Sequence, residues 1–259
     1  MSITFVHFML TKHRKQSILA ALKRDGQVIA KALSASFEVS EDTIRRDLRE
    51  LASEGLLQRV HGGALPSSPA VGDFVQRQQI NTVAKLAIAR KAVELMLPGQ
   101  VAILDGGTTC VLLARHLPPT LEATIVTHSP SVAVELVNHP GIEVVMIGGR
   151  LFKHSMVAVG AAAIEAITHI RADVYFMGVT GIHPTAGLST GDLEEAYIKR
   201  ALAARAAEVV VLASTEKVNA ASAYVIAEVT AANTVVVERK TPRALTDPLA
   251  ALGLTILHA

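Results

Sequence analysis

The sequence predicts an α+β protein of two domains, a small helical one at the N-terminus and a larger α/β one with a mostly parallel sheet. Three observations predict this fold class. Helical patterns fill the first quarter of the 259 residues, a Pro/Ser-rich stretch follows, and continuous Val/Ile/Leu runs then alternate with helical segments. Such runs are typical of strands buried on both faces of a parallel sheet. We therefore assign residues 1–65 to the helical domain, 66–80 to a linker and 81–259 to the α/β domain.

The N-terminal domain is predicted to hold three helices and one strand. Each helix shows apolar residues at helical spacing or a residue that can cap or end it. In chain order we expect a helix over Thr11–Lys23 ended by Asp25-Gly26, a helix over Val28–Ala35, a helix from Ser40 to about Ser53 ended by Gly55, and a strand over Leu56–Val60 ended by Gly62-Gly63. Two short helices and a capped third are the ingredients of a helix-turn-helix.

The α/β domain is predicted to begin with a long helix over Val83–Leu97, which Pro98-Gly99 ends. Its strands are expected over Val101–Leu104, Ala123–Val126, Val144–Ile147, Val174–Met177, Val209–Leu212 and Thr234–Val237. Parallel strands need crossover connections, usually helices. These helices are expected within Val111–Leu117, Ser131–Asn138 and Ala196–Ala207.

Composition narrows the class of protein further. Half of the residues are hydrophobic and 19% are charged, which suits a packed core and excludes wholesale disorder. The single cysteine, Cys110, excludes an internal disulfide framework and a cysteine-rich zinc site. No apolar run reaches the roughly 18–20 residues of a membrane span, and the apolar stretch Ile3–Leu10 lacks the preceding basic residues of a secretory signal. We expect a cytoplasmic protein that does not enter a membrane.

The basic charge is concentrated near the N-terminus. Residues 1–65 carry ten Lys and Arg against seven Asp and Glu, whereas the rest of the chain carries fifteen against sixteen. This asymmetry favours a nucleic-acid-binding N-terminal domain, although surface charge of this size also serves solubility alone.

The third helix carries the most informative charges. Ile44, Leu48 and Leu51 form its buried stripe. The residues opposite this stripe and beside it are Arg46, Arg49, Ser53, Thr43 and Arg45. Arginines on the free face of a short helix can reach phosphates and guanine edges in a major groove. The alternative is a solvated amphipathic helix whose arginines pair with Asp47 and Glu50, and helical spacing alone leaves both interpretations open.

A long motif covers the third helix and the strand after it. It reads V-S-E-D-T-I-R-R-D-L-R-E-L-A-S-E-G-L-L-Q-R-V-H-G-G-A over Val39–Ala64, and it resembles the DNA-binding head of the DeoR family of bacterial transcription regulators. The resemblance implies a winged helix-turn-helix that binds a double-stranded DNA operator. The DNA-binding residues expected on the helix and the wing are Ser40, Thr43, Arg45, Arg46, Arg49, Arg59 and His61. Because family members commonly begin a few residues before the first helix, we also expect residues 1–8 to be a mis-assigned start.

A strand, a glycine-rich turn and a helix start meet at Asp105–Thr109. The turn reads Asp105-Gly106-Gly107-Thr108-Thr109, and a helix is expected from about Cys110. Glycines let a ligand approach the backbone, and free N–H groups, hydroxyls and the helix dipole favour a phosphate there. An ordinary turn between strand and helix is the alternative. Since no G-x-G-x-x-G or G-x-x-x-x-G-K-[ST] occurs, a dinucleotide site and a P-loop are disfavoured.

Three more loops follow strands in the same sense, so we expect them at the same edge of the sheet, where ligands usually bind. They are Thr127-His128-Ser129-Pro130, Gly148-Gly149-Arg150 and Gly178-Val179-Thr180-Gly181. Lys217 also follows a strand and can supply a cation to a phosphate, unless it is a solvated surface lysine.

The α/β domain carries the motifs L-D-G-G-T-T, V-T-H-S, G-G-R, G-V-T-G-I and A-G-L-S-T-G-D-L-E-E-A-Y-I-K-R-A. They resemble the sensor domains of the DeoR family, so the likeness covers Lys12 to about Arg239. It implies a fold like that of ribose-5-phosphate isomerase and a phosphorylated sugar or related metabolite as effector. The effector-binding residues expected from the motifs and the loops are Asp105, Gly106, Gly107, Thr108, Thr109, His128, Ser129, Gly149, Arg150 and Lys217.

The chain departs from the family pattern at two places. His128 stands where the family often has Asn, and Ser214-Thr215-Glu216-Lys217 stands where D-S-S-K or D-H-S-K is typical. We expect the lost carboxylate and the added Glu216 to change the polarity around the ligand.

A sugar-phosphate isomerase is the alternative function, because the body resembles an enzyme fold. Asp105, Glu195 and His128 are of the right type for acid–base catalysis, but nothing in their spacing marks a catalytic pair. We predict no catalytic residue, no metal and no cofactor. We predict instead a DNA-binding transcription regulator, a repressor that a phosphorylated sugar releases from its operator and that works as a homo-oligomer, a dimer or tetramer. A head that binds protein partners is the remaining non-enzymatic alternative.

Overall fold

The computed structural model describes residues 10–68 and 73–259. The chain divides between Ser67 and Ser68 into two compact units, called here the head and the body. This boundary lies inside the predicted linker. The expectation that residues 1–8 are a mis-assigned start falls outside the described residues.

Within residues 10–68, the head consists of three helices and a three-stranded antiparallel sheet with the strand order β1-β3-β2. Its elements are α1 (Thr11–Asp25), β1 (Val28–Ile29), α2 (Ala30–Phe37), α3 (Glu41–Ser53), β2 (Leu57–Val60) and β3 (Gly63–Pro66). Helix α1 ends as predicted, where Gly26 takes a left-handed conformation with φ 72°. The apolar core that joins the helices to the sheet includes Ile18, Leu22, Leu33, Ile44, Leu48, Leu51 and Leu57.

Strand β1 was not predicted, because its two residues fit the helical spacing of the segment that follows. Val28 and Ile29, predicted as the start of the second helix, instead pair with β3, so α2 begins two residues later. The two strands approach so closely that a Cβ on Gly63 would lie 1.9 Å from the carbonyl oxygen of Val28. Gly63 therefore begins a strand rather than ending one. Strands β2 and β3 form a wing hairpin that turns at Gly62, where φ is 78°.

The body alternates helices and strands. Its helices are α4 (Phe74–Gln79), α5 (Thr82–Val93), α6 (Thr108–Arg115), α7 (Pro130–Leu136), α8 (Ala161–Thr168), α9 (Leu193–Ala203) and α10 (Arg243–Ala250). Its strands are β4 (Val101–Leu104), β5 (Ala123–Thr127), β6 (Ile142–Met146), β7 (Arg150–Phe152), β8 (Val157–Val159), β9 (Ala172–Gly178), β10 (Gly181–His183), β11 (Gly187–Thr190), β12 (Ala206–Leu212), β13 (Tyr224–Ala227), β14 (Thr234–Val237) and β15 (Thr255–His258). Short 3-10 turns lie at Thr215–Lys217 and Val229–Ala231.

In the described part of the body, seven strands form one parallel sheet in the order β15-β14-β12-β9-β4-β5-β6. All six predicted strands belong to it. The chain builds β4 to β6 in one direction and β9 to β15 in the other, so the direction changes between β4 and β9. In open α/β sheets, ligands bind at the carboxyl ends of the strands at such a point.

Apolar side chains cover both faces of this sheet. Successive residues of a strand point to opposite faces. Ile103 and Tyr175 accordingly join one apolar cluster, while Leu104 and Phe176, the next residues along the same strands, join the other. The continuous apolar runs in the sequence are the direct result of this two-sided burial.

Several parts of the body differ from the predicted elements, and helices α8 and α10 and strands β7, β8, β10, β11 and β13 were not predicted. Residues 74–79, inside the predicted linker, form α4, whose Phe74 is buried in the core. Helix α5 ends at Val93 instead of Leu97, and α6 begins at Thr108 instead of Cys110. The C-terminal residues pack on the body, since Leu249 is buried and β15 extends the sheet. Strand β15 escaped prediction because an edge strand with polar residues at both ends has no continuous apolar run.

Within residues 10–68 and 73–259, no helix is long and apolar enough to cross a membrane. In the same ranges no group of three or more His, Cys, Asp and Glu side chains is placed to hold a metal ion.

Candidate functional site

Helix α3 is held by its cap and by a buried stripe. The Ser40 side chain accepts a hydrogen bond from the Thr43 backbone N–H at 3.2 Å, and acidic residues occupy the first turn, where the helix dipole favours them. Ile44, Leu48 and Leu51 are buried as predicted. The opposite side of α3 is thereby presented to solvent.

Two acidic residues of α3, Asp47 and Glu50, are paired with helix α1 and not with the arginines of α3. Asp47 is fully buried and forms an ion pair with Arg14 at 2.5 Å. Glu50 pairs with Lys15 at 2.9 Å. The alternative in which Asp47 and Glu50 pair with the arginines of α3 therefore does not describe this helix.

The arginines of α3 differ from one another. Arg45 pairs with Glu41 at 2.9 Å and with Asp42 at 3.4 Å. Arg46 and Arg49 are exposed and, among the described residues, form no hydrogen bond or ion pair. Their guanidinium groups keep all their donors available for an external acceptor.

The wing adds a second group of exposed basic side chains. Arg59 lies near the end of β2, and His61 lies in the turn before β3. Both are exposed, as a role at the DNA backbone or groove requires. The head thus presents each of the predicted DNA-binding basic residues to solvent.

A pocket opens at the carboxyl ends of β4 and β9, where the sheet changes direction. It is a narrow pocket that is partly open to solvent. The polar and charged residues that line it include Arg77, Lys85, Thr108, Thr109, Ser155, Thr180, Thr190, Glu195, Lys199, Glu216 and Lys217. Gly106, Gly107 and Gly178 supply backbone to its wall.

Asp105 organises the floor of this pocket. One carboxylate oxygen accepts hydrogen bonds from His128 Nε2 at 2.9 Å and from the Gly106 N–H at 2.8 Å. The other accepts from the Gly178 N–H at 2.8 Å and from the Lys199 ammonium. Asp105 is fully buried, so its acceptor sites are occupied by the protein. The geometry makes Asp105 a support for the turn rather than a direct contact for a ligand.

The Asp105–Lys199 pair is ionised. Burial alone would raise the pKa of Asp105, but the Lys199 ammonium and the His128 hydrogen bond outweigh it and hold that pKa far below its usual value. Burial opposes the charge of Lys199 as well, and Asp105 and Glu195 more than compensate, so the pKa of Lys199 is raised. Both ring nitrogens of His128 face oxygen atoms, since Nδ1 lies 3.0 Å from the carbonyl oxygen of Ala158.

The N-terminus of α6 forms one wall of the pocket. Gly107 precedes the helix with φ 102°, a conformation that glycine adopts without strain. No side chain caps the first turn, and the first N–H groups of a helix have no acceptor within it. These donors and the hydroxyls of Thr108 and Thr109 line the pocket together, as the sequence predicts for an anion site.

Besides Lys199, which is paired with Asp105, three cations line the same pocket. Burial lowers the pKa of Lys217 to about 8, against the opposing effect of Glu216. Lys85 is buried, which lowers its pKa, and its ammonium donates to the carbonyl oxygen of Arg77. Arg77 Nη2 donates to Ser155 Oγ at 3.1 Å, while its Nε is buried without an acceptor. Glu216 accepts a 2.5 Å hydrogen bond from Ser214.

The predicted effector residues divide into three groups in the structure. The residues that line the pocket are Gly106, Gly107, Thr108, Thr109 and Lys217. Asp105, His128 and Ser129 are buried, and Ser129 Oγ donates to the carbonyl oxygen of Met156 at 3.1 Å. Gly149 and Arg150 are exposed and lie outside the pocket lining.

Sequence patterns missed several charged residues of the pocket: Arg77, Lys85, Lys199 and, as a pocket residue, Glu195. A signal was present for two of them. Lys85 lies in register with Ile88, Ala89 and Ala92 on the buried side of α5. Lys199 likewise shares the buried side of α9, and a lysine on an apolar stripe indicates a buried charge with a partner. Cys110 has a pKa raised by burial, which suits packing and not reactivity.

A winged helix-turn-helix with unpaired arginines, joined to an α/β unit with a cation-lined pocket, defines a class of protein. It is the class of DNA-binding regulators that respond to a small ligand.

Comparison with known proteins identifies the family. Residues 14–69 match the DeoR-like helix-turn-helix domain, and residues 80–239 match the DeoR C terminal sensor domain. A putative aga operon transcriptional repressor of Escherichia coli O157:H7 is 31% identical over 95% of this chain and 93% of its own length. The HTH-type transcriptional regulator GlpR of Haloferax volcanii is 36% identical over 81% of this chain and 82% of its own. The chain belongs to the DeoR family and is a DNA-binding transcription regulator.

Solved structures add a weak likeness. Ribose 5-phosphate isomerase A of Methanocaldococcus jannaschii is 22% identical, covers 53% of this chain and 54% of its own, and has a TM-score of 0.40. Relatives along the chain are named as regulators and repressors, so the isomerase alternative lacks support.

Proposed function

We propose that this regulator is a repressor and that a phosphorylated sugar or related phosphate monoester, bound in the body pocket, releases it from its operator. One observation carries the proposal. Arg77, Lys85 and Lys217 line the same pocket as the free N-terminus of α6, and a phosphate dianion is the common metabolite group that matches three cations and a helix N-terminus.

A carboxylate in the same pocket supports an effector with hydroxyl groups. Glu195 is 7% exposed and lines the pocket, and among the described residues its carboxylate forms no hydrogen bond or ion pair. A buried carboxylate of this kind accepts hydrogen bonds from hydroxyls. A sugar or polyol phosphate supplies both the anion and these donors.

The names of relatives favour repression over activation, and a phosphorylated metabolite as the ligand. A glycerol-3-phosphate regulon repressor of Escherichia coli K12 is 34% identical over 75% of this chain and 77% of its own. Operators bound by two-fold symmetric repressors have paired half-sites. We accordingly propose a homo-oligomer, a dimer or tetramer, that works on DNA in the cytoplasm.

Calorimetric titration of the full chain tests the effector class. The ligands are glycerol 3-phosphate, a pentose 5-phosphate, a hexose 6-phosphate and the unphosphorylated counterparts of all three. We expect that only phosphorylated ligands bind. Lys217→Ala should weaken their binding about tenfold or more because a charged hydrogen bond is lost. The exposed Lys153 provides the control, and Lys153→Ala should bind as the unaltered chain does.

A second variant tests the sugar end. Glu195→Gln should lower the affinity for the best sugar phosphate while leaving that for inorganic phosphate unchanged or improved. Equal binding of phosphorylated and unphosphorylated ligands, or normal binding by Lys217→Ala, contradicts the proposal.

A further inference from the structure

Helix α4 is the first element of the body after the chain leaves the head, and it is fixed to the pocket region. The Asp73 side chain and Gln76 form a reciprocal capping box, with the Gln76 N–H donating to Asp73 at 2.9 Å and the Gln76 side chain accepting from the Asp73 N–H at 3.3 Å. The Phe74 side chain is buried in the core, and its N–H donates to the His154 carbonyl oxygen at 2.8 Å. These contacts give α4 a defined position instead of that of a loose linker.

Arg77 brings a charge from α4 into the pocket. Its Nη2 donates to Ser155 Oγ, its Nε is buried without an acceptor, and among the described residues no carboxylate lies within ion-pair distance. Glu195 and Asp105 act on it only at longer range, and burial lowers its pKa. Arg77 lines the pocket, and a guanidinium without a carboxylate partner is suited to binding an anion that enters there.

Lys85 is a second link between helix α4 and the pocket. Its ammonium donates to the carbonyl oxygen of Arg77, near the end of α4, and it also lines the pocket. An ammonium has three donors, so it can hold this carbonyl group and a phosphate oxygen together. Both ends of the Arg77 residue, its side chain and its carbonyl group, therefore meet groups that face the pocket.

We propose that Arg77 is a ligand for the effector phosphate and that, through Arg77 and the Lys85 bond to its carbonyl group, phosphate binding sets the position of α4, the first helix of the body. The inference rests on the proposed function and adds the route by which occupancy of the pocket acts on DNA binding. An effector shifts an equilibrium only by its different affinity for the two states. Here the state with the higher affinity for the effector is the one in which α4 is positioned so that Arg77 can bind the phosphate.

The test uses the full chain with inorganic phosphate as the probe. Phosphate affinity is measured by calorimetry, and hydrogen exchange of the backbone amides of residues 74–80 is measured with and without saturating phosphate. We expect phosphate to slow exchange in this segment. Arg77→Gln should weaken phosphate binding about tenfold or more and abolish the slowing, even at phosphate concentrations that saturate the variant.

Two further variants keep the result interpretable. Arg77→Lys retains the charge without the planar fork, so it should keep part of the affinity and guard against a simple folding defect. Arg90→Gln removes an exposed arginine of α5 outside the pocket and should behave as the unaltered chain does.

The outcomes separate this inference from the proposed function. Normal phosphate affinity in Arg77→Gln, or protection of residues 74–80 that persists in this variant, overturns the role of Arg77 and leaves the phosphate site intact. Failure of the unaltered chain to bind phosphate or any phosphate monoester contradicts both.

Discussion

The head and the body both present cations to an anion, but they do so in opposite ways. In the head, Arg46 and Arg49 are exposed neighbours on one regular helix. In the body, the cations are wholly or partly buried and come from α4, α5 and the turn after β12. Exposed arginines suit a long polyanion whose binding releases counterions. Buried cations suit a small dianion that must leave water to enter, and burial changes their pKa values.

The largest expected effect is on the stability of the body, at the buried ion pair between Asp105 and Lys199. Asp105→Ala leaves the Lys199 ammonium buried without its carboxylate, and losing one partner of a buried pair costs about 3–5 kcal/mol. Urea unfolding of the full chain, followed by circular dichroism, measures the loss. The exposed Asp247 serves as control, since a surface substitution changes stability by only about 0.5 kcal/mol. Equal effects of Asp105→Ala and Asp247→Ala would show that the pair does not hold the pocket together.

The next effect concerns the head. Arg46→Ala should weaken operator binding by about 1–3 kcal/mol if Arg46 hydrogen-bonds a base. Fluorescence anisotropy with operator and scrambled duplexes measures the loss, and Arg90→Ala on the body is the control. An equal loss on every sequence would reduce Arg46 to a phosphate contact, and no loss on any sequence would remove it from the interface.

A pH titration sharpens the contrast. Because burial lowers the pKa of Lys217 to about 8, its charge is present below pH 8 and disappears above it. A bound phosphate favours the charged form, so affinity for inorganic phosphate should fall up to about tenfold for each pH unit above 8. Lys217→Arg should flatten this profile. The arginines of the head keep their charge throughout, so operator binding should be nearly constant from pH 7 to 9.

The smallest effect is expected at the paired arginine of α3. Arg45 is exposed and makes single-helix ion pairs with Glu41 and Asp42, and such pairs contribute about 0–1 kcal/mol. Thermal unfolding of Arg45→Ala should therefore stay close to that of the unaltered chain. A loss above about 2 kcal/mol would contradict the distinction between exposed and buried charges, because surface substitutions rarely reach it.

The sequence could predict the parts of both sites that residues close together in the chain form. A contiguous strand, turn and helix start revealed Gly107–Thr109, and helical spacing revealed the free face of α3. Arg77 was missed because it lies within residues 66–80, which we assigned to a linker. Lys85 and Lys199 are far apart in the sequence, and only tertiary packing shows that their charges meet at one pocket.

The strands of the protein also divide into those that a local sequence pattern predicts and those that distant pairing decides. Continuous apolar runs marked six strands of the large sheet, although β6 lies at its edge and is partly exposed. Apart from β2, the other strands were missed. Two examples are Val28-Ile29 and β15, since a two-residue strand and a short edge strand leave too short a pattern. Pairing with a distant strand decides their conformation, and local spacing does not record it.

The most direct test of the account is fluorescence anisotropy of labelled DNA from upstream of this protein's own gene, compared with a scrambled duplex, followed by addition of the sugar-phosphate panel. The account predicts preferential binding of the native DNA and its release by one phosphorylated sugar, with the response blunted in Lys217→Ala. Binding of the native DNA that no phosphorylated ligand changes, at concentrations that fill the pocket, would contradict the coupling of the body to the head.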